Sequence, residues 1–477
     1  MNRNSKEKDQ QVSFLRLSNT ERIIVLFTGD LLASILSLFA ALYIWAHLDS
    51  WLIFSLEFLT SRTPSWFYLI PFVWSLLIIE LYDIRKAANK KATILAIILA
   101  SGIGFILYLI IYFTVGSTNP LPRISVAIFI PIVSILTLLW RLIYIKLFTT
   151  PIFMRRVLIV GAGNAGRAIS DVIINIHPEP FKLVGLLDDD PNKIGEIIQG
   201  IRVLGNRDDL LDIIRENGIT DIICAITYDI QDELLTLLLK AEETGTQITT
   251  MPIMYEELLG RVPIAYLDND WLLKTFFDQA HSSESYTIFK RFFDIIISLI
   301  GLIPFILTFP FLALVIKLDS KGTVLIKQER IGRNGNPYIL IKYRTMINDS
   351  SNGELKPTMK NDSRITRVGH ILRKTHLDEL PQVLQILRGK MSVVGPRSEI
   401  TQFVNKFEKN VPFYRARLLA KPGLTGWAQI HQSYAATIKE TSEKLEYDLY
   451  YIKHRSFLFD IHIMARTIGQ VLGFRGR

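Results

Sequence analysis

Two adjacent carboxylates, Asp378 and Glu379, stand in the run Arg373-Lys-Thr-His-Leu-Asp378-Glu379-Leu-Pro381-Gln382. Cations crowd them: Arg364, Arg367, Arg373 and Lys374 come before, and Arg388, Lys390 and Arg397 after. Acids beside cations suit a divalent metal and a phosphorylated substrate, the acids holding the ion and the cations holding phosphate oxygens. The same spacing has a plainer reading. Asp378 could cap a helix and Glu379 could complement its dipole. Pro381 fits a first turn, Val383, Leu384, Ile386 and Leu387 give an apolar face, and Gly389 gives a stop.

A second stretch has the pattern of a nucleotide turn. The strand Val157–Val160 leads directly into Gly161-Ala-Gly163-Asn-Ala-Gly166, then a helix of about ten residues, then a strand ending at Leu187-Asp188. The glycines permit a tight turn and close approach of a pyrophosphate, and an acid about 20 residues on fits a ribose hydroxyl. A nucleotide fold with an empty site fits equally well. Tyr286-x-x-x-Lys290 matches the catalytic pair of Rossmann-type reductases, but it lies beyond the α/β pattern, against an apolar run, and is set aside.

The elements that must position these groups begin in a membrane. The 477-residue chain has positive mean hydropathy and a formal charge of +9, and its apolar runs concentrate in the first third. Segments at 23–46, 66–82, 93–115 and 124–145 are each about the length of a bilayer crossing. Lys and Arg cluster at 85–91 and 146–156, which puts the N-terminus and everything after residue 150 in the cytoplasm. Asp30 and Glu80, acids within these segments, read as packing or interfacial groups. Met1–Arg22 is polar and is not a cleavable signal. No nucleic-acid motif occurs, and the single cysteine, Cys224, reads as a buried strand residue.

Residues 290–317 form another apolar run, with Lys290 and Arg291 before it and Lys317, Lys321 and Lys327 after. Basic flanks on both sides ask for both ends on one face of the membrane. Pro304 and Pro310 in its middle predict a broken, re-entrant helix, with a simple fifth span as the alternative. After it, strands at 324–330 and 338–342 flank the turn 332–337, a polar loop covers 347–363, and helices are expected over 440–453 and 458–472. The last is amphipathic and suited to a membrane surface.

Six ordered motifs carry a resemblance. They are Lys290-Arg291-x-Phe-Asp294, Gln328-x-Arg330-x-Gly332, Lys342-x-Arg344-Thr-Met, Leu377-Asp378-Glu379-Leu-Pro-Gln, Met391-Ser-Val-Val-Gly-Pro-Arg397 and Lys421-Pro-Gly-Leu-Thr-Gly-Trp-Ala-Gln429. With them, residues 290–477 resemble the bacterial sugar transferases, the polyprenyl-phosphate hexose-1-phosphate transferases. Residues 1–280 are similar to the front of that family's large members. The fold implied is four membrane spans in 1–150, an α/β Rossmann-like domain in 151–280, and in 281–477 a monotopic α/β phosphoglycosyl transferase domain with a re-entrant helix. Three departures stand out. No serine precedes Pro304 or Pro310, Ser398 replaces the family's proline after Arg397, and Ser363 replaces the one before Arg364.

The resemblance implies transfer of a sugar 1-phosphate from a UDP-sugar, UDP-glucose or UDP-galactose, to undecaprenyl phosphate on the inner face of a bacterial cytoplasmic membrane. That step starts exopolysaccharide, capsule or O-antigen synthesis. Asp378 would be the nucleophile, and Glu379, with Asp378 beside it, would hold Mg²⁺. Lys342, Arg344, Arg364 and Arg397 would grip phosphate, and Lys290, Arg291 and Asp294 would meet the lipid phosphate. Gly161, Gly163, Gly166 and Asp188 would hold any nucleotide or dinucleotide of the Rossmann-like domain. The membrane helices are left to serve homodimerisation or contact with downstream glycosyltransferases. Two other readings compete: a nucleotide-sugar oxidoreductase or dehydratase, for which no catalytic pair is visible in 155–265, and a non-catalytic membrane assembly protein, against which the intact Asp378-Glu379 pair argues.

Overall fold

The computed structural model describes residues 19–48, 54–63, 65–82, 87, 89–114, 123–148, 155–177, 179, 181–227, 230–267, 284–347, 362, 364–432 and 437–472. The polar N-terminal tail, Arg85 and Lys86, Ser363 and most of the loop 347–363 lie outside these residues, as does the side chain of Glu80. Two compact units make up the chain, one holding Met1–Ile226 and Ile230–Thr249, the other Thr227–Asp229 and Thr250–Arg477.

In the first unit, apolar sequence folds as helices α1 (Asn19–Leu48), α2 (Ile70–Leu77), α3 (Lys90–Thr114) and α4 (Arg123–Phe148). α1, α3 and α4 are long and apolar enough to cross a membrane. The stretch expected as one span over 66–82 is instead a 3-10 turn (Ser65–Leu69), the eight-residue α2 and a second 3-10 turn (Ile79–Tyr82). Pro71 is the physical reason for the first interruption: it lacks an amide and so starts a helix rather than continuing one.

Asp30 belongs to packing, as its position suggested. It and Arg141 are fully buried. Arg141 Nε and Nη2 donate to the two carboxylate oxygens at 3.1 and 2.5 Å, and Nη1 donates to the Leu81 carbonyl at 2.7 Å. Removing one partner leaves a buried charge alone, so Asp30→Leu should lose about 3–5 kcal/mol. Asp30→Leu with Arg141→Met should lose less than Asp30→Leu alone. Thermal unfolding of the full chain in detergent reads the difference; a double variant weaker than the single one would contradict the pairing.

The α/β part follows in the same unit. β1 (Arg156–Val160), α5 (Asn164–Asn175), β2 (Lys182–Leu187), β3 (Ile197–Ile198), β4 (Ile201–Gly205), α6 (Leu210–Asn217), β5 (Asp221–Cys224), α7 (Asp232–Glu243) and β6 (Gln247–Thr250) build a six-stranded sheet ordered β3-β4-β2-β1-β5-β6. β1 pairs in parallel with β2 and β5. Leu158, Val160, Leu187 and Ile222 fill its core, and Cys224 is a buried strand residue. Strand order reverses about β1, which opens a crevice at its carboxyl end, where Gly161 lies.

The sequence divides the soluble part into 151–280 and 281–477; the compact units divide at Thr250. The cause lies in α8 (Met251–Leu259), whose partners are in the C-terminal unit. Glu256 accepts two bonds of 2.9 Å from Lys453, both side chains being buried. Arg261 pairs with Glu443, Val262 N donates to Glu446 O at 3.1 Å, and Trp427 Nε1 donates to Gly260 O at 2.6 Å.

The second unit continues with α9 (Glu284–Asp319), 36 residues long with Pro304 and Pro310 inside it. The helical assignment runs through both prolines, where a break was expected. Each proline forfeits one backbone bond, and Phe305 and Leu312 pack with Ile316, Tyr343, Leu372 and Val383 in one buried cluster. One stripe of α9 is buried, with Asp294 and Ser298 continuing it. The opposite face exposes Phe292, Leu299, Ile303, Leu307, Phe311 and Leu314.

Both ends of α9 are fastened to the same unit. At the start, Lys290 pairs with Asp460 at 2.7 Å, and Arg291 donates to the carbonyls of Ile386 and Leu387, each at 2.7 Å. Asp294 accepts from Ser392 Oγ at 3.0 Å and Val393 N at 2.9 Å. At the finish, Arg344 Nη2 donates to Ile316 O at 3.2 Å and Ser320 O at 2.6 Å, and Asp319 accepts from Val368 N at 3.1 Å.

The remaining elements are the hairpin β7 (Leu325–Ile331) and β8 (Pro337–Tyr343), α10 (Arg367–Lys374), α11 (Val383–Leu387), β9 (Ser392–Val394), α12 (Thr401–Asn410), β10 (Gly423–Thr425), α13 (Trp427–His431), α14 (Ile438–His454) and α15 (Phe457–Leu472). Tyr338, Leu340, Val394, Leu445, Leu449 and Ile463 belong to their common core.

Candidate active site

Three local structures bring charge together. The first is the β7–β8 hairpin. Its antiparallel register places Arg330 opposite Tyr338 and Ile326 opposite Lys342, so a two-residue period puts Arg330 and Lys342 on one face. Tyr338 and Leu340 bury that face.

The second is the 3-10 turn Leu377–Gln382, which packs on β8. His376, left-handed at φ 57°, turns the chain into it. Neither this turn nor α11 has a side-chain cap, so the helix-capping reading of Asp378 does not hold. The Asp378 side chain is buried instead, with residue exposure of 8%.

The third is the segment after β9. β9 and β10 run parallel and close together: a Cβ on Gly423 would lie 2.1 Å from the Gly395 nitrogen, so only glycine fits. Just beyond, Arg397 Nη2 donates to Glu379 Oε1 at 2.7 Å. Arg373, at the end of α10, is oriented by Thr345 Oγ1 at 2.9 Å.

These charges reset one another. Burial and the adjacent Glu379 carboxylate push Asp378 up to about 6, against the pull of Lys342, Arg397 and Arg373. Burial would also raise Glu379, but Arg397 outweighs it and keeps Glu379 below the usual carboxylate range. Glu379 in turn holds Arg397 above its ordinary value. Burial and the Arg330 guanidinium bring Lys342 down to about 8. Two neighbouring acids are thus driven apart: one stays ionised and the other is poised near neutrality.

Of the residues expected at the site, Asp378, Glu379, Lys342 and Arg397 come together. Arg364 pairs with Asp362 at 2.6 Å, and both lie within the electrostatic reach of Arg373. Arg344 is elsewhere: it is buried and bonds the carbonyls at the end of α9. Lys290, Arg291 and Asp294 are engaged in the ties at the start of α9. Arg373, one of the flanking cations, joins the site, and so does Arg330, which had not been singled out for it. Arg330 stood in a quoted motif, and strand alternation with Lys342 across the turn 332–337 was the signal that could have found it.

Among the described residues no three His, Cys, Asp or Glu side chains converge on a metal position. A magnesium ion does not need them, since it is commonly held by one or two carboxylates with substrate phosphates and water. The adjacent Asp378 and Glu379 fit that donor set.

In the Rossmann-like part, Gly161 has φ 105° and Gly166 must be glycine, because a Cβ there would meet the Gly161 carbonyl at 1.9 Å. Gly163 caps α5, with open space where a Cβ would be. Asp188 is already engaged: Ala162 N donates to it at 2.8 Å, Asp190 N at 3.0 Å and Lys193 Nζ at 3.1 Å. A ribose hydroxyl would have to share or displace these donors.

Comparison with known proteins places names beside this geometry. The bacterial sugar transferase family model matches residues 285–474, and a CoA-binding domain model matches 78–252. A UDP-N-acetylgalactosamine-undecaprenyl-phosphate N-acetylgalactosaminephosphotransferase of Aeromonas hydrophila is 38% identical over 46% of this chain and 52% of its own. A UDP-glucose:undecaprenyl-phosphate glucose-1-phosphate transferase of Xanthomonas campestris pv. campestris is 29% identical over 68% of each chain. The exopolysaccharide production protein PSS of Rhizobium leguminosarum bv. phaseoli is 42% identical over 38% of this chain and 94% of its own. The chain thus spans about half the length of the Aeromonas relative and nearly all of the Rhizobium one.

Proposed function

Because this chain belongs to the bacterial sugar transferase family, we propose that it transfers a sugar 1-phosphate from a UDP-sugar to undecaprenyl phosphate, releasing UMP. The observation that carries the reading is Asp378, buried beside Glu379 and within the field of Lys342, Arg397 and Arg373, inside the matched domain. A carboxylate nucleophile divides a phosphoryl transfer into two displacements. An oxygen of Asp378 attacks the phosphorus that bears the sugar. The bond from that phosphorus to the UMP oxygen breaks, and UMP leaves with the electron pair. An oxygen of the lipid phosphate then attacks the same phosphorus and returns the carboxylate. Lys342, Arg397, Arg330 and Arg373 oppose the charge that builds on the phosphoryl oxygens. Glu379 and Asp378 would hold magnesium, which when bound neutralises the diphosphate.

The cytoplasmic face of the inner membrane is the side proposed for this domain, following the positive-inside distribution. A re-entrant or surface-lying α9 is favoured over a fifth span, because both its ends are bonded to one unit while its outer face is apolar. UDP-glucose and UDP-galactose are the donors proposed. A nucleotide in the Rossmann-like part, homodimerisation and contact with downstream glycosyltransferases through the membrane helices complete the reading.

The test is UMP release by the full chain in nanodiscs with undecaprenyl phosphate, Mg²⁺ and a panel of UDP-sugars that includes N-acetylated ones. Release requiring the lipid, with one donor preferred, is the expected result; no release with any donor, from folded protein, sinks the proposal. The pH profile is a further expected outcome. Asp378 must be ionised to attack, so the rate falls below about 6. Lys342 must be charged, so the rate falls again above about 8. A profile flat from 5 to 9 would show that neither group limits the reaction.

A further inference from the structure

Arg417 is a buried guanidinium that the proposed chemistry leaves without a task. It lies in the 3-10 turn Tyr414–Leu419 and is 4% exposed. Its nitrogens are all engaged. Nε and Nη2 donate to Asp448 Oδ2 at 3.0 and 2.7 Å, and Nη1 donates to the Tyr414 hydroxyl at 2.8 Å. Nη2 also donates to the backbone carbonyl of Arg397 at 2.9 Å. Asp448, on α14, is buried too.

That last bond belongs to a larger arrangement. From Pro396 to Glu399 every backbone carbonyl has a donor. Pro396 O accepts from Gly423 N at 3.0 Å, Arg397 O from Arg417, Ser398 O from Arg330 Nη1 at 2.9 Å, and Glu399 O from Ile331 N at 3.0 Å. The Glu399 side chain is paired with Lys444, and the Ser398 hydroxyl accepts from Tyr338 at 2.8 Å. The segment that presents Arg397 to Glu379 is therefore clamped at each peptide. Two of the four clamps come from side chains. One of these, Arg330, also faces the site. The other, Arg417, reaches it only through the Arg397 carbonyl.

A buried ion pair contributes little net stability compared with apolar residues of the same volume, so stability alone is a poor reason for Arg417–Asp448. Catalytic groups, by contrast, need supporting bonds that fix them to within a fraction of an ångström. We propose that Arg417, oriented by Asp448, is a positioning residue for the sugar-phosphate transfer: by holding the backbone of Arg397 it sets the approach of that guanidinium to Glu379 and to the phosphoryl group. The inference rests on the reaction proposed above.

The experiment uses the full chain in nanodiscs, with Arg417→Lys, Asp448→Asn and the conservative Asp448→Glu, each checked for folding by thermal unfolding. Lysine keeps the charge but cannot meet Asp448, Tyr414 and the Arg397 carbonyl together. The expected result is a kcat lowered on the order of 10-fold or more in Arg417→Lys and Asp448→Asn, with the KM for the UDP-sugar within about twofold. Asp448→Glu should recover most of the rate. Unchanged kcat, a KM that rises in step with the fall in kcat, or no recovery by Asp448→Glu overturns the proposal and leaves a purely structural role.

Failure of the reaction itself reads differently. If wild-type protein releases no UMP, hydrogen exchange of residues 392–400 decides. Faster exchange there in Arg417→Lys, with the rest of the chain unchanged, upholds the clamp, and unchanged exchange removes it.

Discussion

Asp378→Asn is expected to abolish UMP release while leaving the protein folded and at least as stable as wild type. The carboxamide has nearly the shape of the carboxylate but cannot form the phosphoryl ester, so a loss on the order of 10³-fold or more is expected for removal of a nucleophile. The stability half follows from the sign of the shift. Burial and Glu379 hold the folded-state Asp378 near 6, above its ordinary value of 3.8. At neutral pH the ionised group therefore opposes folding, and that cost shrinks as pH falls through about 6 and is gone below the ordinary 3.8. A neutral asparagine removes it at every pH. The melting temperature at pH 7 should thus be unchanged or raised, and the wild type should gain on the variant as the medium is acidified toward 5. Kinetics and thermal unfolding on the same preparation check both halves. Full activity in the variant excludes Asp378 as nucleophile, and loss of activity through unfolding would leave its role open to a purely structural account.

Arg397→Met is the second large effect. Arg397 is the group that keeps Glu379 ionised beside Asp378. Without it buried Asp378 and partly buried Glu379 face each other with less compensation, and Glu379 moves up toward protonation. A fall in kcat/KM on the order of 10²–10³-fold is expected, comparable to removing one donor aimed at developing charge. Stability should drop by about 1–3 kcal/mol, the cost of leaving the Glu379 carboxylate, 14% exposed, without its partner. Arg397→Lys retains charge without the planar fork and should recover part of the rate. The acid limb of the pH profile should rise in both variants. A kcat/KM within tenfold of wild type in Arg397→Met would remove this residue from the phosphate-binding set.

What the chain disclosed in advance follows the range of the interactions. The Asp378-Glu379 pair, the β7–β8 hairpin and the glycine turn at 161–166 depend on neighbours within a few residues, and their patterns were plain. Arg344 misled for a definite reason. It has the parity of Lys342, but β8 ends at Tyr343, and Arg344 turns to the carbonyls of Ile316 in α9 and Ser320 just after it, 28 and 24 residues back. Lys290, Arg291 and Asp294 share a helical turn, which was legible. Their partners Asp460, Ile386 and Ser392 are 170, 95 and 98 residues away, which was not. Asp30 found Arg141 across 111 residues. The prolines of α9 were legible, while the packing of Phe305 and Leu312 beside Tyr343, Leu372 and Val383 is information no local rule contains.

The apolar outer face of α9, with both ends of the helix bonded to the unit that carries Asp378, bears on how the reaction is counted. A catalytic domain held against a bilayer meets its two substrates in different dimensions. The nucleotide sugar arrives from a volume, and its supply is a molarity. The lipid phosphate arrives by sliding within a leaflet, and its supply is a number per unit area. Adding inert phospholipid at fixed total protein, donor and acceptor thins that areal density without changing any bulk concentration. The turnover of such an enzyme is then governed by the composition of the sheet of lipid around it, and a cell could tune its output by the crowding of one leaflet alone.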